Sequence, residues 1–358
     1  MAGRHIVTRD LAAIGAGEPA IDAARGAEAS AGRRDAERVR RLETNVYSGP
    51  ITVPRRVLIG DTGIEAHPLA LGGSVFGWTL GAEASEAVLD RFAALGGTVL
   101  DTADSYAAGR SESIIGAWMA SRGTRDRMVV TTKVGRHPDR PGLAPENLRA
   151  AVDESLARLR TDSIDLLYLH GEDPGVQLEE SLGAVGALID AGKVRALGAS
   201  DFSPERLIEA RVLAANGLPR IQAVTTRYNL MDRRPFEGAP ELVAHAQGLA
   251  VLPYFALANG FLGGQVRRRA EVRHDARGER LARHLGRRGH RVLATVDEIA
   301  FARGIQPATV AIAWLLARPT VAVPVAGVSR PEQLDALLAA ASIELHRSEL
   351  VELDRASS

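Results

Sequence analysis

The sequence contains no cysteine. Disulfides, thiolate nucleophiles, iron–sulfur clusters and Cys-ligated zinc are thereby excluded. Lysine is almost as scarce: only Lys133 and Lys193 occur, so 42 of the 44 basic residues are arginine. Charge of one sign is not in excess either. The 44 basic residues meet 44 acidic ones, and zero net charge argues against a chain built to hold nucleic acid or an anionic membrane. No apolar run approaches the roughly 20 residues of a membrane helix. After Met1 the mildly apolar stretches are broken by Asp10, Glu18 and Asp22, which is not a secretory pattern. A soluble, cytoplasmic protein is expected. Diagnostic strings are missing too: the G-x-G-x-x-G turn of a doubly wound dinucleotide fold, the G-x-S-x-G elbow of serine hydrolases, and H-x-H or H-E-x-x-H metal pairs. No metal site is expected.

What is present is an apolar chain of 358 residues, 46% hydrophobic, long enough for two ordinary domains or one large α/β barrel. Residues 1–53 are rich in Ala, Gly, Arg and Glu and poor in large apolar side chains, so they read as an extension that adds little core. Within it, 33–43 has the i,i+4 charge spacing of an exposed helix. From residue 54 onward the texture changes. RRVLIGDTGIEAHP reads as a hairpin turning at Asp61-Thr62-Gly63. Eight apolar runs follow, at 68–73, 98–103, 128–134, 164–170, 194–200, 221–226, 249–255 and 321–325. They are near-continuous rather than alternating, as parallel strands buried on both faces should be. Helical stretches separate them at 84–95, 111–121, 145–160, 178–191, 204–215, 238–247 and 291–303, with more at 307–317 and 331–340. The pattern predicts an α/β fold of the (β/α)8 TIM-barrel type over 54–358, its bottom plugged by the hairpin.

In such a barrel reactive side chains project from the C-terminal strand ends. Those ends carry Asp101, then Tyr106 five residues later, Lys133 and His170. Lys133 stands out because this chain uses arginine nearly everywhere else, which suggests a need for a compact ammonium rather than a planar fork. Together the four can work on a carbonyl. Tyr has an ordinary pKa near 10, and a neighbouring ammonium would pull it down. Asp101 would hold Lys133 charged, and His170 could hydrogen-bond to the carbonyl oxygen, where negative charge develops. A Schiff-base lyase using Lys133 is a competing chemistry, opposed by the adjacent Asp101.

The runs VLDTADSYAAGRSE, VVTTKVG, DLLYLH and GKVRALGASDFS, followed by TTRYNLMDRR, VLPYFALANGFLGG and VPVAGVSRPEQLDALL, resemble the aldo-keto reductase superfamily in order and separation over about residues 55–350. The resemblance implies a (β/α)8 barrel that binds NADP(H), less often NAD(H), without a Rossmann domain, and that reduces aldehydes or ketones. It makes Asp101, Tyr106, Lys133 and His170 the catalytic tetrad, with Tyr106 as general acid. It also implies cofactor contacts: Ser200 and Asp201 at the nicotinamide carboxamide, with Thr225 nearby, and Tyr254 against the nicotinamide ring. Leu257 and Gly260 would lie at the pyrophosphate, Ser329 and Arg330 at the adenosine 2′-phosphate, and Gln333 near the adenine end. Arg330 favours NADP over NAD, because a guanidinium–phosphate contact is charge-assisted.

Departures from the family pattern cluster at the cofactor. Asp201 stands where an Asn is usual, Thr225 where a Gln is usual, and Ala336 and Leu337 replace a Glu–Asn pair that grips adenine. A non-catalytic barrel that senses NADP is therefore a second function class. Phe76 and Trp78, just past the first strand, are expected as substrate-pocket walls. Glu172 and Asp173 could face substrate. The ten arginines of 267–291 read as a solvated surface or as a binding face for a phosphate-rich partner near the cofactor mouth, nucleic acid being opposed by the lack of aromatics and the neutral chain. The expected partner is a small carbonyl substrate; its identity and the oligomeric state are not legible.

Overall fold

Short runs of Val, Leu and Ala, each closed by Gly, Pro or a polar residue, become eight parallel strands. The structure, a computed structural model, describes residues 56–272 and 277–358. The extension read over 1–53, its 33–43 helix, and Arg273 of the arginine-rich run lie outside the described residues. The strands are β1 (Ala70–Gly72), β2 (Val99–Asp101), β3 (Val129–Val134), β4 (Ile164–His170), β5 (Val194–Ser200), β6 (Ile221–Thr225), β7 (Ala250–Val251) and β8 (Val325–Ala326). They form one sheet in the order β7-β6-β5-β4-β3-β2-β1-β8. Its two ends meet. Val251 bridges Val321, and the Val325 N–H donates to the Pro253 carbonyl at 2.8 Å. The fold is the expected (β/α)8 barrel.

Helices α1 (Ala82–Ala94), α2 (Arg110–Arg122), α3 (Pro145–Leu159), α4 (Leu178–Asp190), α5 (Pro204–Ala215) and α6 (Ala239–Ala246) follow the first six strands. After β7 come α7 (Gly278–Ala282), α8 (Arg287–Arg303) and α9 (Pro307–Leu316), and after β8 α10 (Gln333–Ala339) and α11 (Arg347–Ser357). Pro at the first turn starts α3, α5, α6 and α9, where its fixed φ suits a helix and its missing N–H costs nothing. Among the described residues no single helix is long and apolar enough to cross a membrane.

Strand alternation divides the core in two. Leu71, Leu100, Val130, Leu167, Leu169, Leu197 and Val251 face outward into the layer shared with the helices. Ala70, Val99, Leu166, Tyr168, Ala196, Ala223, Ala250 and Leu252 fill the barrel interior. The hairpin, Val57–Leu58 against Glu65–Ala66, closes the bottom by adding Ile59 and Ile64 to that interior cluster. Gly60 in its turn has φ +55°, and a Cβ there would lie 2.5 Å from the Gln222 carbonyl, so the hairpin presses directly on β6.

Two regions differ from the sequence expectation. The last two strands are shorter, and β8 begins at Val325 rather than 321. Prolines 253 and 324 lack the N–H that a continuous ladder needs. The chain instead pairs through Ala322 to Val251 and then through the Pro324 carbonyl to Ala70. Helix α11 was also not foreseen. It starts at a capping box between His346 and Glu349, and Arg303 holds the Glu349 carboxylate with two nitrogens. Its C-terminal carbonyls take arginines from the arginine-rich run: Arg288 Nε to Ser357 at 3.1 Å and Arg291 Nε to Ala356 at 3.0 Å. Cations at a helix C-terminus complement both the free carbonyls and the dipole.

Tyr168 is the largest side chain in the interior cluster, and Gly198 on β5 makes room for it: a Cβ there would fall 2.5 Å from Tyr168 Cδ1. We expect Gly198→Ala to lower unfolding free energy by about 1–3 kcal/mol, the usual cost of overpacking. Urea denaturation checks this, and Tyr168→Leu in the same chain should relieve most of the loss.

Candidate active site

Inner-face parity delivers the polar strand ends to one place. Asp101 is the last residue of β2, Lys133 lies on β3, and His170 ends β4, in register with Ser200 of β5. All four line one cavity of about 630 Å³ at the C-terminal mouth, together with Tyr106. That volume is in the range of small-molecule and cofactor sites.

Lys133 is only 1% exposed, and its ammonium donates to both Asp101 oxygens at 2.7 Å and to the Thr102 carbonyl at 3.0 Å. All three N–H bonds are used. Asp101 is steadied in turn by the Thr131 hydroxyl at 2.9 Å. Burial alone would lower the lysine pKa, but Asp101 and Tyr106 hold it above the ordinary value. A protonated, fully bonded amine is not a nucleophile, which removes the basis for Schiff-base chemistry.

Tyr106 sits above the pair, with Lys133 Nζ 5.3 Å from its ring centroid. The loop that aims it is conformationally costly: Ala107, Ala108 and Gly109 follow with φ of +51°, +54° and +81°. Seven described non-Gly residues have positive φ, and four of them (Ala107, Asp201, Phe255 and Asn259) line the cavity. Backbone strain is thus concentrated at one mouth, a pattern common at functional sites. Lys133 does pull the Tyr106 pKa down, as the sequence led us to expect, but burial outweighs it. Burial raises the phenol above its ordinary value, and Asp101 adds to the rise.

His170 stands edge-on to Tyr106, ring centroids 6.4 Å apart. Burial, with Lys133 and Arg136 nearby, pushes its pKa down to about 3, so the imidazole is neutral. Its Nδ1 is buried with no hydrogen-bond partner among the described residues.

Of the residues expected at the cofactor, Ser200, Asp201, Tyr254, Leu257, Gly260 and Ser329 line the same cavity. The Tyr254 hydroxyl donates to the Asp201 carboxylate, 3.0 and 3.1 Å from its two oxygens. Three others do not line it. Thr225 faces its own barrel, and its hydroxyl donates to the Leu252 carbonyl at 2.7 Å. Gln333 turns back, accepting at Oε1 from the Ser329 and Arg330 N–H groups at 2.9 and 3.2 Å. Arg330 is exposed beside it. Phe76 is corrected: it is wholly buried in the outer core and packs beneath the loop, whereas Trp78, 50% exposed, does line the cavity. Glu172 and Asp173 secure backbone, accepting from the Ser203 N–H and from the Leu143 and Gly175 N–H groups.

The arginine-rich run 267–291, read as a possible face for a phosphate-rich partner near the cofactor mouth, supplies Arg277, Arg280 and Arg283 to a cationic wall. Sequence reasoning missed Arg136 and Arg227. Among the described residues, Arg136, Arg227, Arg277, Arg280 and Arg283 line the cavity with Lys133, against only Asp101 and Asp201. Arg227 Nε is buried without a hydrogen-bond partner. Gly260, φ +98°, leaves space in which a Cβ would lie 3.6 Å from Arg277. Excess positive charge, an unmatched buried donor and a left-handed loop suit a ligand with several phosphates.

The comparisons with known proteins agree with this geometry. The model of the Aldo/keto reductase family matches residues 68–358. The chain belongs to the aldo/keto reductase family. Norsolorinic acid reductase stcV of Emericella nidulans is 33% identical over 320 residues, 84% of this chain and 80% of that one. Aldo-keto reductase YhdN of Bacillus subtilis is 32% identical over 300 residues, 78% and 86% of the two chains. Aldo-keto reductase yakc [NADP(+)] of Schizosaccharomyces pombe is 28% identical over 283 residues, 76% and 82%. Membership in this family, with reductase-named relatives, supports oxidoreductase activity.

One buried acid in the loop between Asp101 and Tyr106 gives a stability signature. Asp104 is 1% exposed, one of its oxygens has no partner, and burial raises its pKa from 3.8 to about 6. A raised carboxyl favours the native state while protonated, so its contribution is lost as pH rises from about 4 through about 6. Asp104→Asn, which keeps an acceptor for the Gly135 N–H, should be more stable than the native chain at pH 7 by roughly 2–3 kcal/mol and should show no gain near pH 4. The difference between the two denaturation curves at each pH is the measurement.

Proposed function

We propose that the chain is an NADPH-dependent carbonyl reductase acting on aldehydes or ketones, with Tyr106 as general acid. The observation that carries this reading is the stack of Asp101, Lys133 and Tyr106 facing a neutral His170 inside one cationic cavity. When bound, the nicotinamide supplies the hydride for the carbonyl carbon. Tyr106 donates its proton to the carbonyl oxygen as that oxygen becomes an alkoxide. The Lys133 ammonium stabilises the charge left on the phenol, and Asp101 fixes that ammonium in place. His170 is the second donor to the oxygen. With its proton on Nε2, the unpartnered Nδ1 carries a lone pair rather than an unpaired N–H, the less costly arrangement.

Ser200 and Asp201 are assigned to the nicotinamide end, where the Tyr254–Asp201 hydrogen bond sets the face of the Tyr254 ring. The pyrophosphate is assigned to Leu257 and Gly260, backed by Arg277, Arg280 and Arg283. Ser329 and Arg330 are assigned to the 2′-phosphate, with Gln333 ordering their loop from behind. NADP(H) rather than NAD(H) is the cofactor on this reading, and the fission-yeast relative carries NADP(+) in its name.

Tyr106→Phe should bind NADPH as the native chain does and lose about 10²–10⁴-fold in turnover of an aldehyde such as 4-nitrobenzaldehyde, followed by loss of NADPH absorbance. Retained turnover in the variant would remove Tyr106 from the role of acid, and tight NADPH binding with no turnover in the native chain would favour a sensor. Because the phenol pKa is raised and the His170 pKa is about 3, kcat/KM for reduction should have no acidic limb near neutrality and should decline only when Tyr106 ionises at alkaline pH. Separately, Arg330→Ala should weaken NADPH by roughly 10–100-fold and leave NADH unchanged, the value of one charge-assisted phosphate contact. Equal losses for both cofactors would place the 2′-phosphate elsewhere.

A further inference from the structure

The five arginines that line the cavity are not one group. Arg277, Arg280 and Arg283 follow β7 and flank the Gly260 loop, while Arg136 follows β3 and lies beside the end of β4. Strands β3 and β4 stand about half a turn around the barrel from β7 and β8. Arg136 is therefore on the far side of Tyr106 and His170 from the phosphate loop.

Its position is built. Arg136 opens a two-residue strand, Arg136–His137, paired with Arg140–Pro141 in an antiparallel ribbon. Its guanidinium lies over the backbone that follows His170: a Cβ on Gly171 would be 2.5 Å from Nη2 and 3.2 Å from both Nε and Cζ. Gly171 has φ +101°, so only glycine both turns the chain there and leaves the guanidinium its place. The acids on neighbouring loops make their hydrogen bonds to other groups. Glu172 caps Ser203, Asp173 holds Leu143 and Gly175, and the Asp201 carboxylate accepts from Tyr254. No hydrogen bond or ion pair to the Arg136 guanidinium occurs among the described residues, although its charge helps depress the His170 pKa and acts on the Asp201 carboxylate without a direct contact. Across the mouth Trp78 offers half-exposed apolar surface.

We propose that Arg136 is a specificity-determining residue that recognises a carboxylate on the carbonyl substrate, making the substrate class aldehydes or ketones that carry an acid group beside an apolar body. This rests on the carbonyl reductase reading and names its substrate class. A single guanidinium in the open matches one planar carboxylate with two parallel hydrogen bonds. A phosphate dianion would call for more donors than this side of the cavity provides.

The test compares 4-carboxybenzaldehyde with its methyl ester, using the full chain and NADPH. The native protein should prefer the acid by about 10-fold or more in kcat/KM. The ratio should fall to near one in Arg136→Gln and recover in part in Arg136→Lys, while the NADPH Kd stays within about twofold of native, as expected for a residue that binds no cofactor phosphate. A ratio near one in the native chain, or an Arg136→Gln variant that loses NADPH affinity, overturns the proposal while leaving carbonyl reduction intact. Benzoate titrated against the protein–NADP⁺ complex, followed by Trp fluorescence, separates the two readings. Saturable benzoate binding that Arg136→Gln abolishes supports the acid subsite even if neither aldehyde is consumed, in which case it is the reductase reading that fails. Turnover of the ester without benzoate binding sinks the acid subsite alone.

Discussion

The buried pair between Lys133 and Asp101 is the constraint around which the barrel mouth is arranged. An ammonium 1% exposed in an apolar interior is tolerable only because three oxygens meet its three N–H bonds. Removing either partner would strand the other, at a cost of about 3–5 kcal/mol. Well-packed apolar side chains could fill the same space as stably. The pair is thus poorly explained as a device for stability and well explained as a means of holding a fixed positive charge under a phenol. The rest follows from that demand. Thr131 steadies the carboxylate, Tyr168 forms an apolar floor beneath, and Gly198 gives up its side chain to admit that ring.

Strain and charge are both sorted toward the same end of the molecule. The hairpin end is filled by Ile59 and Ile64, whereas the opposite end collects left-handed Ala107, Asp201, Phe255 and Asn259. The arginines divide in a similar way. Arg288 and Arg291 tie down the last carbonyls of α11, Arg267 pairs with Asp297, and Arg280 and Arg283 turn toward the cavity. A run that looks uniform in sequence serves as clasp, surface and electrostatic wall within 25 residues.

Much of this was legible in the sequence, for physical reasons that also explain what was not. Strands buried on both faces announce themselves as continuous apolar runs, so β1 to β6 stood out, and strand ends are where polar residues break such runs, which exposed Asp101, Lys133 and His170. The seam between β7 and β8 was blurred because Pro253 and Pro324 break the ladder without breaking the apolar run. Phe76 was misjudged because position after a strand does not tell which way a loop residue points; it turned inward to cover the outer core. Thr225 keeps inner-face parity, yet its hydroxyl has a backbone acceptor one strand away that no sequence pattern reveals. Arg136 and Arg227 were invisible for the reason Lys133 was visible: against 42 arginines one more carries no signal, whereas a lone lysine does.

That scarcity has a further consequence for the molecule's dynamics. Lys193 lies on the surface, paired with Asp153 at 2.6 Å, while Lys133 is enclosed by the barrel wall. An acylating reagent meets the first in the folded state, whereas the second, on the cavity floor, is held protonated by Asp101 and Thr102 and reacts only when those bonds open. With no other side-chain amine in the sequence, the rate at which Lys133 is modified is a direct clock for how often its bonds to Asp101 and Thr102 open.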